Sequence, residues 1–212
     1  FPTPSLPFSE FDRVRLMGIQ LRTDLALAGL GSNGIIGVQP ANWGFMAGTA
    51  IITAQGRTAL PAVRGVNNVP AGVTIGGVTV QRGSDILQVI VPDADPARTW
   101  RTRSTVLTGV VDIPLDLPLA TPAVVCPFVY VLDHGAPNGG GRTQLARGAP
   151  AGPNATIRLG EPLLFPLTQG AEIMCARIST YWVDNNDQLH RTDLAPPPGP
   201  PAVAIGATGL WT

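Results

Sequence analysis

Reactive side chains concentrate in residues 175–194, which read CARISTYWVDNNDQLHRTDL. The stretch contains one of the chain's two cysteines, one of its two histidines and the acid and amide run 184–187. An imidazole base beside a hydroxyl would serve nucleophilic catalysis, and carboxylate and amide oxygens would serve as ligands for Ca²⁺. Each of these chemistries needs further groups at particular spacings.

The sequence does not show the motifs and spacings that these chemistries need. The chain has no GxSxG motif, and His134 and His190 are its only imidazole bases. The run Asp184, Asn185, Asn186 and Asp187 lacks the spacing and the closing glutamate of an EF-hand loop, and between two strands it favours a hairpin turn. We therefore predict no enzymatic activity, no cofactor and no metal. A secreted hydrolase using His134 or His190 is the remote alternative.

A second cluster combines arginine with tryptophan in residues 97–104, ARTWRTRS. Guanidinium and indole groups can together bind a nucleic-acid backbone and stack on a base. The formal net charge of the chain is zero, however, so no overall field attracts nucleic acid or an anionic membrane. We expect a solvated strand face here, and keep as the alternative a DNA or anion contact by Arg98, Trp100, Arg101 and Arg103.

The two cysteines, Cys126 and Cys175, lie in separate apolar segments without CxxC spacing. This arrangement is unfavourable for metal binding and favours a disulfide, which implies an oxidising compartment. Closing a loop of about 50 residues would stabilise the fold by about 4 kcal/mol in the chain-entropy model. We therefore predict a disulfide between these residues.

One helix precedes the segments that carry these side chains. Prolines at positions 2, 4 and 7 predict an extended leader over residues 1–8, and we expect the chain to be a processed or truncated piece of a longer protein. Residues 9–29 then follow a helical pattern, whose apolar spacing predicts contact with a sheet and whose end is set by a glycine. The residues predicted to pack on the sheet are Phe11, Val14, Leu21 and Leu25.

Residues 30–212 read as strands and loops, with strands predicted near 49–55, 77–81, 85–91, 105–112, 124–132, 155–159, 172–184 and 188–192. The 25 glycines and 22 prolines of the 212-residue chain interrupt it too often for further long helices. Strands joined by turns favour an antiparallel sheet, and the helix is the only element predicted to cover one face of it. The predicted fold class is therefore α+β. No apolar run approaches the length of about 20 residues that spans a bilayer.

Three short segments resemble the globular part of a PilW-type minor pilin, and the J-type minor pseudopilin of type II secretion is similar in layout. The helix ends in a "DL..AG" pattern, and "GSD" at 83–85 precedes an apolar strand. A late hairpin matches a "tYyvd…LyR" pattern through Thr180, Tyr181, Trp182, Val183, Asp184, Leu189 and Arg191. The helix pattern is matched by Asp24, Leu25, Ala28 and Gly29.

The resemblance implies a pilin-like fold and a structural function. The chain would join other minor pilins and the major pilin in a complex that initiates or caps a type IV pilus or a related filament. It would be held in the bacterial inner membrane by a hydrophobic N-terminal helix upstream of this sequence, with its globular domain in the periplasm, and would be extracellular after assembly. The alternative is a tip-exposed binding module that contacts DNA or a surface.

Overall fold

The computed structural model describes residues 10–32, 35–38, 51–52, 58–75, 77–93, 99–116, 126–135, 141–149 and 155–193. These residues form one helix and fourteen strands. The elements are α1 Glu10–Leu27, β1 Ile35–Gly37, β2 Ile51–Ile52, β3 Thr58–Pro61, β4 Val63–Val66, β5 Thr74–Ile75, β6 Val78–Thr79, β7 Ile86–Pro92, β8 Thr99–Arg101, β9 Asp112–Pro114, β10 Phe128–Asp133, β11 Arg142–Arg147, β12 Thr156–Arg158, β13 Glu172–Val183 and β14 Leu189–Asp193.

Ten of the strands form one sheet, in the order β2-β3-β1-β11-β10-β13-β7-β4, with β8 and β14 also paired to β13. Only Ala62 separates β3 from β4, so one bent stretch pairs with β1 on one side and with β7 on the other. The sheet therefore nearly closes on itself and is barrel-like. The pairing of β1 with β11 is parallel, with Gly37 opposite Gln144.

The inner face of the sheet is filled by apolar side chains that come from strands all around it. On β10 and β13 every second residue points inward, as the period of two in a strand requires. One core cluster joins these residues across the interior: Ile36, Val38, Leu60, Ala62, Ile90, Phe128, Tyr130, Leu132, Leu145, Met174, Ala176 and Ile178.

The outer face is covered by two different parts of the chain. Segments 99–116 and 155–171 cover β10 and the start of β13, where Val129, Val131 and Ile173 join a second core cluster. The helix covers β7 and the later part of β13, where Val89, Val91 and Tyr181 form a smaller cluster with its partly buried side chains.

The predicted fold class, a pilin-like α+β fold with a helix on an antiparallel sheet, is wrong. The molecule is mostly β, its single described helix has 18 residues, and its barrel-like sheet includes a parallel pair. The prediction assumed that only the helix could cover the sheet. A sheet that curls until its two ends meet buries its inner face against itself, so the helix covers only part of the outer face. In the described part of the chain, no helix has the length and apolarity needed to cross a membrane.

Candidate functional site

One charged group on the helix, Asp24, has a side chain that is 0% exposed; among the helix residues with described side chains, the other charged groups are exposed. Its Oδ1 accepts hydrogen bonds from Gln20 Nε2 at 2.8 Å and from Arg177 Nη2 at 2.7 Å. Its Oδ2 accepts one from the Tyr181 hydroxyl at 2.6 Å and lies 3.5 Å from Arg191 Nε. Asp24 and its four partners, the Asp24 cluster hereafter, attach the helix to the sheet.

Two neighbouring strands supply the sheet side of the Asp24 cluster. Arg177, Ser179 and Tyr181 alternate along β13 and therefore point to its outer face. On β14, Arg191 lies opposite Tyr181 and Asp193 lies opposite Ser179. The Ser179 hydroxyl donates to Asp193 Oδ1 at 2.7 Å and accepts from Arg191 Nη2 at 3.1 Å, which holds that arginine in place.

The buried Asp24 carboxylate faces two partly exposed arginines, one of which, Arg191, also pairs with Asp193 at 2.9 Å. Burial by itself would raise the pKa of Asp24, but the hydrogen bonds from Tyr181, Arg177 and Gln20 outweigh burial and hold the pKa below its ordinary value. Burial, together with the hydrogen bond to the Asp24 carboxylate, raises the pKa of Tyr181 to about 12. At neutral pH the carboxylate is therefore ionised and the phenol is protonated, so the phenol donates.

Only part of the predicted helix face is seen in contact with the sheet. Leu21 is partly buried against the β7 and β13 cluster, but Leu25 is 41% exposed. Asp24 is also buried, although it is charged and was not among the residues predicted to pack on the sheet. Hydropathy spacing detects apolar faces only, whereas this face is centred on a charge with partners about 150 residues away. Phe11 and Val14 lie in α1, but their side chains are outside the described part of the structure.

A second helix face is exposed and largely apolar. Leu16 is 53% and Ile19 is 55% exposed, and Thr23 and Ala26 continue the same line at steps of four and three residues. The Thr23 hydroxyl donates to the Ile19 carbonyl at 3.0 Å, so it is satisfied within the helix. We call the line of Leu16, Ile19, Thr23 and Ala26 the helix seam.

The predicted disulfide is present. Cys126 and Cys175 are bonded, are separated by 49 positions in the sequence, and are both buried. Cys175 lies on the outer face of β13, two residues before Arg177. The disulfide therefore ties the segment that precedes β10 to the same strand that carries the Asp24 cluster.

The arginine and tryptophan cluster does not form one surface. Trp100 is 7% exposed and packs in the second core cluster, between its own segment and the outer face of β10 and β13. Its indole is therefore not available for stacking on a base. Arg101 and Arg103 are exposed, and Arg101 lies 3.5 Å from Glu172. Arg98 is outside the described residues. Of the four residues, only Arg101 and Arg103 are seen on the expected solvated face.

Each of the two histidines lies near a carboxylate. His190 Nε2 lies 2.9 Å from Asp184 Oδ2, and its ring stacks on Trp182. His134 is exposed and lies 3.9 Å from Glu172. Among the described residues, neither imidazole hydrogen-bonds a serine, threonine or thiol group. The geometry of a catalytic triad is thus not assembled in this part of the chain.

The acid and amide run forms the predicted hairpin turn between β13 and β14. Asp184 Oδ1 accepts the backbone N–H groups of Asn186 and Gln188 at 2.8 and 2.9 Å. The backbone bond from Gln188 and the contact with His190 lower the pKa of Asp184 to about 2. Its carboxylate is used in closing the turn. Within the described ranges, no group of three or more histidine, cysteine, aspartate or glutamate side chains is arranged to hold a metal ion.

No protein-family model matches the sequence, and a search of curated proteins found no match.

Proposed function

We propose that this chain is a minor pilin, a structural subunit that joins other minor pilins and the major pilin to initiate or cap a type IV pilus or a related filament. In this proposal the chain makes and breaks no covalent bond, and its domain is periplasmic before assembly. The proposal depends on the helix and its attachment and does not require a pilin-type sheet.

The observation that carries the proposal is the convergence of two of the segments that resemble a minor pilin. Asp24 belongs to the helix segment, and Tyr181 and Arg191 belong to the late hairpin. The Asp24 carboxylate lies 2.6 Å from the Tyr181 hydroxyl and 3.5 Å from Arg191 Nε. Residues that were matched separately thus act together, because they fix a helix to a β-rich domain.

The helix seam adds a second support. A subunit that assembles through its helix needs one face for its own domain and another for its neighbours. The Asp24 cluster provides the first face, and the exposed Leu16 and Ile19 provide the second. Exposed apolar side chains in a line on a helix are typical of a surface for another helix.

Filament formation in the encoding organism tests the proposal. We expect deletion of the gene to remove or strongly reduce surface filaments, counted by electron microscopy, and the wild-type gene to restore them. Ile19→Asp should fail to restore filaments although the protein accumulates, because a charge on the helix seam opposes apolar burial.

The matched control is Leu107→Asp. Leu107 is 72% exposed on the β-rich part of the molecule, away from the helix, so this variant receives the same charge outside the proposed interface. We expect it to restore filaments as the wild type does. Unchanged filaments in the deletion strain would contradict the proposal, and so would full restoration by Ile19→Asp.

A further inference from the structure

The helix seam has the spacing of a short coiled coil. Leu16, Ile19, Thr23 and Ala26 follow steps of three, four and three residues, which correspond to positions a, d, a and d of two heptads. Thr23 and Ala26 are small, so a second helix can approach closely over the later half of the seam. A different side of the helix is committed to the sheet through Asp24, and Leu16 and Ile19 of the seam are exposed.

A row of positive charge runs along one edge of the seam. Arg15 and Arg22 are exposed and occupy the two g positions that precede Leu16 and Thr23. Within the described residues, neither arginine forms an ion pair with a carboxylate. Charges at g positions select the partner of a coiled coil through the residues that face them across the seam.

A second copy of this helix would not place carboxylates opposite Arg15 and Arg22. In a parallel pair, Arg15 and Arg22 would face the partner positions 20 and 27, which hold Gln20 and Leu27. Gln20 already donates to Asp24, and Leu27 is partly buried against the sheet. In an antiparallel pair, g positions face g positions, so arginine would meet arginine. Like charges across a seam are destabilising.

We infer that the helix seam binds a helix of a different chain, one that carries carboxylates beside Arg15 and Arg22. The inference rests on the proposed function, because it names the chemistry of the partner in the assembly. Apolar burial along the seam supplies the attraction, and the arginine row determines which helix is accepted.

The test compares three synthetic helical peptides of equal length for binding to the full chain. The first has leucine and alanine along its own seam with glutamate at both flanking positions, the second has lysine in place of glutamate, and the third is residues 10–30 of this protein. By fluorescence anisotropy at low salt, we expect the glutamate peptide to bind at least about tenfold more tightly than the other two, since each close pair of opposite charges favours the complex.

Charge reversal provides the matched control. The double variant Arg15→Glu and Arg22→Glu should prefer the lysine peptide, and circular dichroism should show that it is folded, because both residues are exposed. Ile19→Asp should weaken binding of the glutamate peptide by about tenfold or more.

Equal binding of the glutamate and lysine peptides, or tightest binding of the protein's own helix, would overturn the inference while leaving helix-mediated assembly intact. Absence of binding by all three peptides would overturn it as well. The gene deletion described above tests the proposed function separately, because the number of filaments lost on deletion does not depend on the charge of the partner helix.

Discussion

Asp24 is a carboxylate with no exposed surface, and such a group is tolerated only because its neighbours complete its hydrogen bonds. Arg177 and Arg191 supply opposite charge, and Tyr181 and Gln20 donate to its oxygens. Removing a charge from water costs several kcal/mol, so the balance depends on every partner being present. A single substitution in this cluster therefore affects how the helix is attached.

Asp24→Asn should destabilise the protein by about 2–3 kcal/mol, because the Arg177 guanidinium loses its carboxylate partner, whereas Arg191 keeps its ion pair with Asp193 at 2.9 Å. Urea unfolding followed by tryptophan fluorescence measures the change. Asp116→Asn is the control, since Asp116 is exposed and its substitution should change stability by about 0.5 kcal/mol or less. Equal effects of the two substitutions would show that the buried ion pair is not a main source of stability.

Stability should fall at acid pH. The folded-state pKa of Asp24 is below its ordinary value of 3.8, and that of Asp184 is lowered to about 2. The unfolded chain therefore binds these protons more readily, so the stabilisation is present above pH 3.8 and is lost as the pH falls through the folded-state values. Urea titrations across this range should show a shallower acid dependence for Asp24→Asn, and an unchanged slope in that variant would contradict the assignment.

Stability should also fall at alkaline pH, because the pKa of Tyr181 is shifted upwards, whereas the pKa values of Asp24 and Asp184 are shifted downwards. Burial and the Asp24 carboxylate raise the pKa of Tyr181 from 10.0 to about 12. The folded state then holds the phenol proton more tightly, so this contribution is complete below pH 10 and is lost as the pH rises towards 12. Tyr181→Phe should reduce the alkaline slope of the unfolding free energy, and ultraviolet absorbance of tyrosinate should lose the titration near pH 12.

At the scale of elements, the end of α1 is fitted closely against the sheet. Gly29 has a positive φ of 57° and its N–H donates to the Ile90 carbonyl at 3.1 Å. A Cβ atom at this position would lie 2.5 Å from the Cβ of Ala62, the residue at the bend between β3 and β4. The Tyr130 hydroxyl, from inside the sheet, donates to the Leu30 carbonyl at 3.1 Å. The helix therefore ends where the sheet closes.

Two glycine-to-alanine substitutions in this region should have opposite effects. Gly29→Ala should destabilise the protein by more than about 1 kcal/mol, because it adds both a left-handed backbone strain and a clash with Ala62. Gly18→Ala should stabilise it by about 0.5–1 kcal/mol, because Gly18 lies inside the helix and a Cβ there meets nothing within 4 Å. Thermal unfolding compares the two variants, and a shift of the same sign in both would contradict the proposed fit.

The strand predictions show where local pattern suffices. The apolar runs predicted as strands near 85–91, 124–132 and 172–184 correspond to β7, β10 and β13. The β-branched run 105–112 was also predicted as a strand, but Gly109 has a φ of 86° and only an isolated bridge forms at Val106. Strand propensity is overridden there by a turn.

At the scale of the whole molecule, the disulfide joins the segment before β10 to β13. Its reduction should lower the unfolding free energy by about 4 kcal/mol, as expected for a closed loop of this length. Urea unfolding with and without a reductant measures this, and the double variant Cys126→Ala and Cys175→Ala should match the reduced protein. Thiol titration of the denatured, unreduced protein should find no reactive thiol, and finding two would contradict the bond.

The sequence by itself determined the N-terminal helix, the three long strands, the disulfide and the turn at Asp184. Each depends on neighbours in the chain or, for the two cysteines, on elimination of other roles. β3, β4 and β11 were missed because apolar and polar residues do not alternate regularly along them. Pro61 interrupts the stretch that forms β3 and β4, and the buried Gln144 in β11 has the sequence pattern of a solvent-facing residue.

Only the tertiary structure decided that the sheet curls on itself and that Asp24 faces inward. Closure depends on Ala62 letting one stretch pair with strands on both sides, and burial of Asp24 depends on Arg177, Tyr181 and Arg191 arriving from more than 150 positions away. The periodicity of a segment indicates which of its side chains face water and which face an apolar core. It carries no information about a distant partner that makes burial of a charge favourable.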